Sequence, residues 1–333
     1  MFAHYEGSLG ARWSYGVGLR HDTMTVFGRT KALRGWGANQ THLEEVDPDL
    51  TYRHVSPRGE LRFRPGPRWS LTGSLGRGVL PPRPSFAERC CSARYQRNRQ
   101  LRPERAWSSQ LQAEWRPTPS SQLTLTGFWT EASDYHEKIV YQATAHVPLY
   151  AVRALPEVRL RGVELGHDLR LAKGRVEIGW ATVLVDAEVT DPYFHVDELT
   201  LEPVLADGEK IYLDEHGAEL RYIPGLSGRA TFKYSGRRGT TVDVEARYTG
   251  PVSHFRIEQL RLADTPWSIE RSEAYWRVDA RVERELGESG WSGYVGVDNL
   301  TDYVMPDLGD VETTHEWGPR TGRFVYLGAR YRR

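Results

Sequence analysis

Cysteine is nearly missing from this chain: there are two in 333 residues, adjacent at Cys90 and Cys91. Neighbouring cysteines close a disulfide only under strain, and two thiols make no zinc site, so they are expected to be incidental loop thiols. Long apolar runs are missing as well. None approaches the ~20 residues of a membrane helix, and mean hydropathy is −0.58. An excess of either charge is missing, since 44 Lys and Arg balance 44 Asp and Glu. Global charge therefore points neither to nucleic acid nor to a disordered tail. The opening residues Met1–Gly7 carry no basic stretch and no apolar core, so no signal peptide is expected. No P-loop, G-x-G-x-x-G or HExxH is readable, and no nucleophile stands with a base, so neither enzyme chemistry nor a cofactor is expected.

Low hydropathy does not exclude the membrane, because barrel strands average out in any hydropathy window. What the chain has in quantity is aromatic and turn residues: 11 Trp, 17 Tyr, 32 Gly and 19 Pro. From Trp107 to Trp115 apolar and polar positions alternate, a turn at Pro117–Ser120 follows, and alternation resumes through Leu123, Leu125, Gly127 and Trp129. Side chains of a strand alternate between faces, so this predicts a hairpin with one apolar and one polar face. Trp107 and Trp115 share a face, about 20 Å apart along an axis to which the strands tilt by ~40°, the separation expected of two aromatic girdles. Trp129, Trp276 and Trp291 fall in equivalent patterns and are read with them as girdle residues. A half-buried hairpin in a soluble sheet has the same alternation.

Along the chain the pattern repeats in roughly fourteen strands. One strand is expected from Trp13, a tight turn near His21 and Asp22, and a short strand over 23–29. Residues 175–190 are apolar almost throughout and resist phasing. Turns near 65–67, 117–120, 172–174, 236–239 and 287–290 are short, whereas connections at 30–50, 79–104, 143–158, 191–226, 250–272 and 300–322 are long. Loop length sorted by parity is the habit of outer-membrane barrels, with short periplasmic turns and long extracellular loops. Arg, Asp and Glu recurring on the polar faces suit a wet or filled lumen. The fold class expected is all-β, a transmembrane antiparallel barrel.

Several motifs, in order, carry a family resemblance. Gly76–Glu88 (GRGVLPPRPSFAE), Asn98–Glu104 (NRQLRPE, with Asn98, Leu101, Pro103 and Glu104), Gly162 and Glu164 in RGVE, Asn299, Leu300, Asp302 and Tyr303 in VDNLTDY, and Gly322, Arg323 and Phe324 in GPRTGRF resemble stretches of TonB-dependent outer-membrane receptors. Arg99 stands where that family usually has Pro. The resemblance implies the C-terminal ~14 strands of a 22-stranded barrel over residues 1–333, incomplete, with no counterpart of the family's plug domain or TonB box. Arg332 and Arg333 follow Tyr331, where the family ends on an aromatic residue read by the barrel-assembly machinery. The implied partners are outer-membrane lipid and lipopolysaccharide, that machinery, the TonB complex through a plug, and a metal chelate or vitamin.

Two functions are expected from different classes: part of a receptor that takes up a scarce ligand such as a ferric siderophore or cobalamin, or a self-contained passive channel of 14 strands, an even number that permits closure. A soluble β protein is a third. Arg83, Arg89, Arg94, Arg97, Arg99 and Arg102 make the 79–104 loop basic and would attract an anionic ligand; arginines facing lipopolysaccharide give the same pattern. His195 and Asp197, with Asp214 and His216, are weak candidates for a cation, as are His42, Glu44 and Glu45, and His315 with Glu316; solvated loop charges are the plainer account.

Overall fold

The computed structural model describes residues 1–26, 29–34, 41–46, 50–81, 94–96, 102–144, 147–190, 193–194, 205–206, 209–210, 212–214, 219–257, 267–287, 290–304 and 322–331. One meandering sheet organises them. Its strands are β1 (Phe2–Leu9), β2 (Trp13–Val26), β3 (Leu50–Gly66), β4 (Trp69–Leu80), β5 (Glu104–Thr118), β6 (Ser121–Thr144) and β7 (Val147–Leu171), then β8 (Val176–Val189), β9 (Leu226–Ser235), β10 (Thr240–Thr249), β11 (Tyr275–Glu285), β12 (Trp291–Asp298) and β13 (Phe324–Tyr331). Each pairs with the next, and every pairing is antiparallel.

Against the roughly fourteen strands expected, this path has thirteen; a further three-residue strand, Arg94–Gln96, lies within 79–104, expected as a loop, and runs parallel to Leu149–Ala151 of β7. The difference matters because thirteen is odd. With every step antiparallel, β1 and β13 run in the same direction, so no antiparallel ladder can join them. Among the described residues β1 pairs only with β2, and β13 only with β12.

Other readings change in detail. Alternation through Thr25 was broken in the sequence by the polar pair His21 and Asp22, yet β2 runs on without a turn, its inner Asp22 bonded to the Arg20 Nε at 2.9 Å. Of the residues 143–158, expected as a long loop, 143–144 and 147–158 are strand: β6 and β7 extend to 24 and 25 residues, and Thr144 pairs with Val147. Small two-stranded sheets lie within 30–50, 191–226 and 250–272.

Burial separates the two faces. A compact globular monomer of 38.0 kDa exposes roughly 14,000 Å², whereas this chain exposes 22035 Å². Among the described residues seven hydrophobic side chains are buried, while Trp13, Leu71, Leu111, Trp129, Leu184, Val295 and Leu327 and many others stand exposed on one side of the sheet. An apolar face this continuous needs an apolar solvent or a partner. All five tryptophans expected in girdles are on it: Trp115, stacked on Trp69 at 5.6 Å, and Trp291, 5.3 Å from Tyr331, near the short turns; Trp107, Trp129 and Trp276, the last 5.1 Å from Tyr248, toward the long connections.

The one apolar cluster among the described residues explains why 175–190 could not be phased. Ala187 and Val189 on the inner face of β8 pack with Ala132, Val158, Leu155 and Leu220, with Ile223 against them. The backbone beside β8 leaves the ladder between Leu220, whose N–H donates to the Ala187 carbonyl, and Gly225, whose carbonyl accepts from Val185 N–H. This excursion covers the inner face there, so β8 needs apolar residues on both sides.

Candidate functional site

The polar face of the sheet is the candidate site. Exposed Phe232 and Tyr234 fix the outer face of β9, Val282 and Trp276 that of β11, and Val295 that of β12. Alternation then turns Arg229, Thr231 and Lys233 inward, and register sets them beside Arg247, Glu245 and Asp243 of β10 and Arg277, Asp279 and Arg281 of β11. Arg229 Nη2 lies 2.7 Å from Glu245 Oε2, and Arg247 holds the other oxygen of the same carboxylate. Arg277 Nε donates to Asp279 Oδ1 at 3.0 Å. Arg281 reaches Glu283 Oε2 at 2.7 Å and lies over the Tyr294 ring at 4.0 Å, while Ser292 Oγ donates to Glu283 Oε1 at 2.7 Å. A cavity of about 310 Å³ opens along this wall beside Arg229, Glu245, Asp279, Arg281 and Tyr326. A larger one of about 600 Å³ lies near the short turns, lined by Arg116, Gln122, Asp168, Arg170 and Glu177.

Two of the family-like motifs act as clamps at the strand ends. Asn299 is buried at 2% exposure with φ at 54°, its N–H donating to Asp279 Oδ1 at 2.8 Å and its Nδ2 to the Tyr303 carbonyl at 2.8 Å. Thr301 Oγ1 donates to the Trp276 carbonyl at 2.8 Å, Leu300 N–H to the Val278 carbonyl at 2.7 Å, and Asp302 Oδ1 accepts the Arg323 N–H at 2.6 Å. Tyr303 stacks on Tyr275 at 4.6 Å; burial first, then the nearby Glu273, pushes its phenol above the ordinary range, so the ring stays neutral. Arg323, Phe324 and Gly322 thereby start β13 against the end of β12. At the other motif, Glu104 Oε1 accepts the His136 N–H at 2.7 Å, and the His136 ring reaches the Arg102 carbonyl at 2.7 Å, next to buried Pro103. Gly162 and Glu164 sit mid-strand in β7, Gly162 beneath the Phe128 ring.

The basic loop is not brought together here. Arg83, Arg89, Arg97 and Arg99, with Asn98, Leu101 and the Cys90–Cys91 pair, lie outside the described residues. Arg94 is placed by its backbone only, and Arg102 is exposed. His195, Asp197, His216, His315 and Glu316 also lie outside, and Asp214, His42, Glu44 and Glu45 are placed by backbone alone; among the described residues no group of three metal-ligating side chains forms. Sequence reasoning missed the inner-wall residues Arg229, Glu245, Arg247, Arg277 and Asp279 and the clamp histidine His136. Their polar alternation was visible, but which charge faces which depends on pairing register.

Comparison with known proteins agrees with this geometry. The family described as "TonB dependent receptor-like, beta-barrel" matches residues 1–300. Among solved structures, the ferric-catecholate import receptor Fiu of E. coli K12 is 16% identical with a TM-score of 0.63, covering 96% of this chain and 42% of its own. The siderophore receptor PiuA of Acinetobacter baumannii is 18% identical with a TM-score of 0.63 over 96% of this chain and 40% of its own. The FrpB iron transporter of Neisseria meningitidis is 15% identical with a TM-score of 0.62, covering 99% and 45%. This chain thus spans under half the length of the solved structures it matches. No curated protein matches it.

Proposed function

This chain belongs to the TonB dependent receptor-like β-barrel family, and on that premise we propose that it forms part of the wall of an outer-membrane receptor importing a scarce metal chelate or vitamin. The observation that carries the reading is the sheet itself: thirteen antiparallel strands with an exposed apolar face, a charged inner face and end strands running the same way. Closure by antiparallel pairing then requires an odd number of further strands, about nine if the finished wall has the family's 22, since bacterial barrels have even counts. The passive channel closed by an even fourteen loses its premise, because β1 and β13 are parallel to one another. The five outward tryptophans would sit at the two membrane interfaces, and Arg83, Arg89, Arg94, Arg97, Arg99 and Arg102 on the outer side, where ligand or lipopolysaccharide is met. Fiu, PiuA and FrpB are by name a ferric-catecholate import receptor, a siderophore receptor and an iron transporter, which favours an iron chelate as cargo.

The test is uptake of radiolabelled ferric catecholate, and of cobalamin beside it, by bacteria making the protein as the cell encodes it, with and without a working TonB complex. Saturable uptake of one of them that stops when TonB is removed is expected. Uptake that rises linearly with concentration and ignores TonB would overturn the reading in favour of a passive pore.

A further inference from the structure

Two adjacent rows of the inner wall set like charges face to face: Glu245 faces Asp279 in one, and three arginines face one another in the next. Register carries a row from Arg170 through Glu177, Lys233 and Asp243 to Arg281, alternating in sign at every step. Two rows nearer the long connections, Arg229 faces Arg247, and Arg247 faces Arg277. Like charges directly opposite on paired strands are destabilising, so this row stands against a local penalty. Strands lie about 4.8 Å apart, and the three guanidinium groups therefore span about 10 Å across the wall.

Their surroundings are asymmetric. On the short-turn side stand Glu245 and Asp279, two carboxylates for three guanidiniums, and Asp279 Oδ1 also accepts the Asn299 N–H at 2.8 Å. On the long-loop side the next row is Ser227, Thr249 and Tyr275, which carries no charge at neutral pH. Each guanidinium has five N–H donors, and among the described residues each of these three meets a single carboxylate. The side chains remain 59%, 51% and 34% exposed. The acids thus hold the arginines from the short-turn side, while the side toward the long connections offers them no charge.

We propose that Arg229, Arg247 and Arg277 form an anion-binding step on the inner wall, for a ligand presenting two or more carboxylate or phosphate groups. This deepens the import reading by naming the chemistry of the cargo, and it rests on that reading for the direction of approach. Charge-assisted bonds from a guanidinium to such oxygens are about twice as strong as neutral ones, and a row of three rewards a polydentate anion over a single one.

Inorganic pyrophosphate is the probe, titrated calorimetrically into the protein purified in detergent at the length the cell makes it. Binding is expected to weaken as salt rises. Arg247→Gln is expected to weaken it by about tenfold, the loss of roughly one charge-assisted contact. Arg62→Gln removes the same charge from a different part of the inner wall, where Arg62 meets Glu60 at 3.2 Å, and is expected to stay within about twofold. Should Arg247→Gln lose the folded, heat-modifiable band, Arg277→Gln takes its place with the same expectation. No pyrophosphate binding by the natural protein, or equal weakening by both substitutions, overturns the step. Pyrophosphate binding without chelate uptake upholds the step and overturns the import reading; TonB-dependent uptake without pyrophosphate binding does the reverse.

Discussion

Replacing Gly162 by alanine is expected to destabilise the folded wall by about 3 kcal/mol, at the upper end of what inserting a methyl into a packed site costs. Gly162 faces Phe128 on one neighbouring strand and Val185 on the other. A Cβ at this position would collide with the Leu184 carbonyl oxygen and sit 2.5 Å from Phe128 Cζ. The ring can swing away only by giving up its cover of the glycine, and the carbonyl belongs to the β7–β8 ladder, so relief means displacing a strand. Gly59 and Gly127 provide the control. They also lie mid-strand, yet nothing stands within 4 Å of an added Cβ, so alanine there is expected to be neutral or stabilising by up to about 1 kcal/mol through the loss of unfolded-chain freedom. Urea unfolding followed by tryptophan fluorescence separates the cases: a lowered midpoint for Gly162→Ala alone is expected, and equal midpoints for all three contradict the packing account.

Asn299→Ala is expected to cost about 3 kcal/mol, from two sources that can be measured separately. The first is the backbone, since φ at 54° is left-handed and disfavours a residue with a Cβ by about 1 kcal/mol unless, like asparagine, it bonds locally. The second is the side chain: removing Nδ2 leaves the Tyr303 carbonyl without the bond it accepts at 2.8 Å, and removing Oδ1 takes the acceptor 3.0 Å from Thr301 Oγ1. Orphaning such a buried group costs about 1–3 kcal/mol. Asn299→Gly keeps the backbone freedom and loses the amide, so it is expected to recover about a third of the loss. Hydrogen exchange at residues 299–304 and at the start of β13 reports the clamp directly, with faster exchange in Asn299→Ala than in Asn299→Gly. A glycine variant indistinguishable from the natural protein would show that the amide bonds do not hold the turn.

Alternation was enough to read the architecture, because a barrel wall is a period-two pattern repeated between solvents of opposite polarity. Trp107, Leu111 and Trp115 against Gln110, Gln112 and Glu114 announce both faces at once. The pattern misled where local chemistry conflicted with pairing. His21 and Asp22 look like a turn, but their neighbours on β3, Val55 and His54, hold them in strand. Residues 143–158 look like a loop because Pro148 and Pro156 interrupt them, yet β6 supplies a partner for most of their length. β8 hid its phase because its inner side is covered by Leu220 and Ile223, more than thirty residues further on by sequence. The strand count was nearly right, but closure depends on parity, and the strand at Phe2–Leu9 together with the merging of two short strands into β2 decided it. The candidate site was the least legible part. Charges on the inner face were visible as polar positions, but a row of three arginines exists only once the register of β9, β10 and β11 is known.

The central claim is that this sheet is one section of a wall and does not close on itself. An open edge in lipid leaves a row of backbone donors and acceptors unsatisfied, each costing several kcal/mol, and both β1 and β13 present such an edge among the described residues. The direct measurement is gel mobility, before and after boiling, of the 333-residue chain refolded into lipid by itself and together with the strands that complete the wall. A compact band that shifts on boiling is predicted only with completing strands odd in number. The same band from the chain alone would mean that it closes unaided, and would contradict the account.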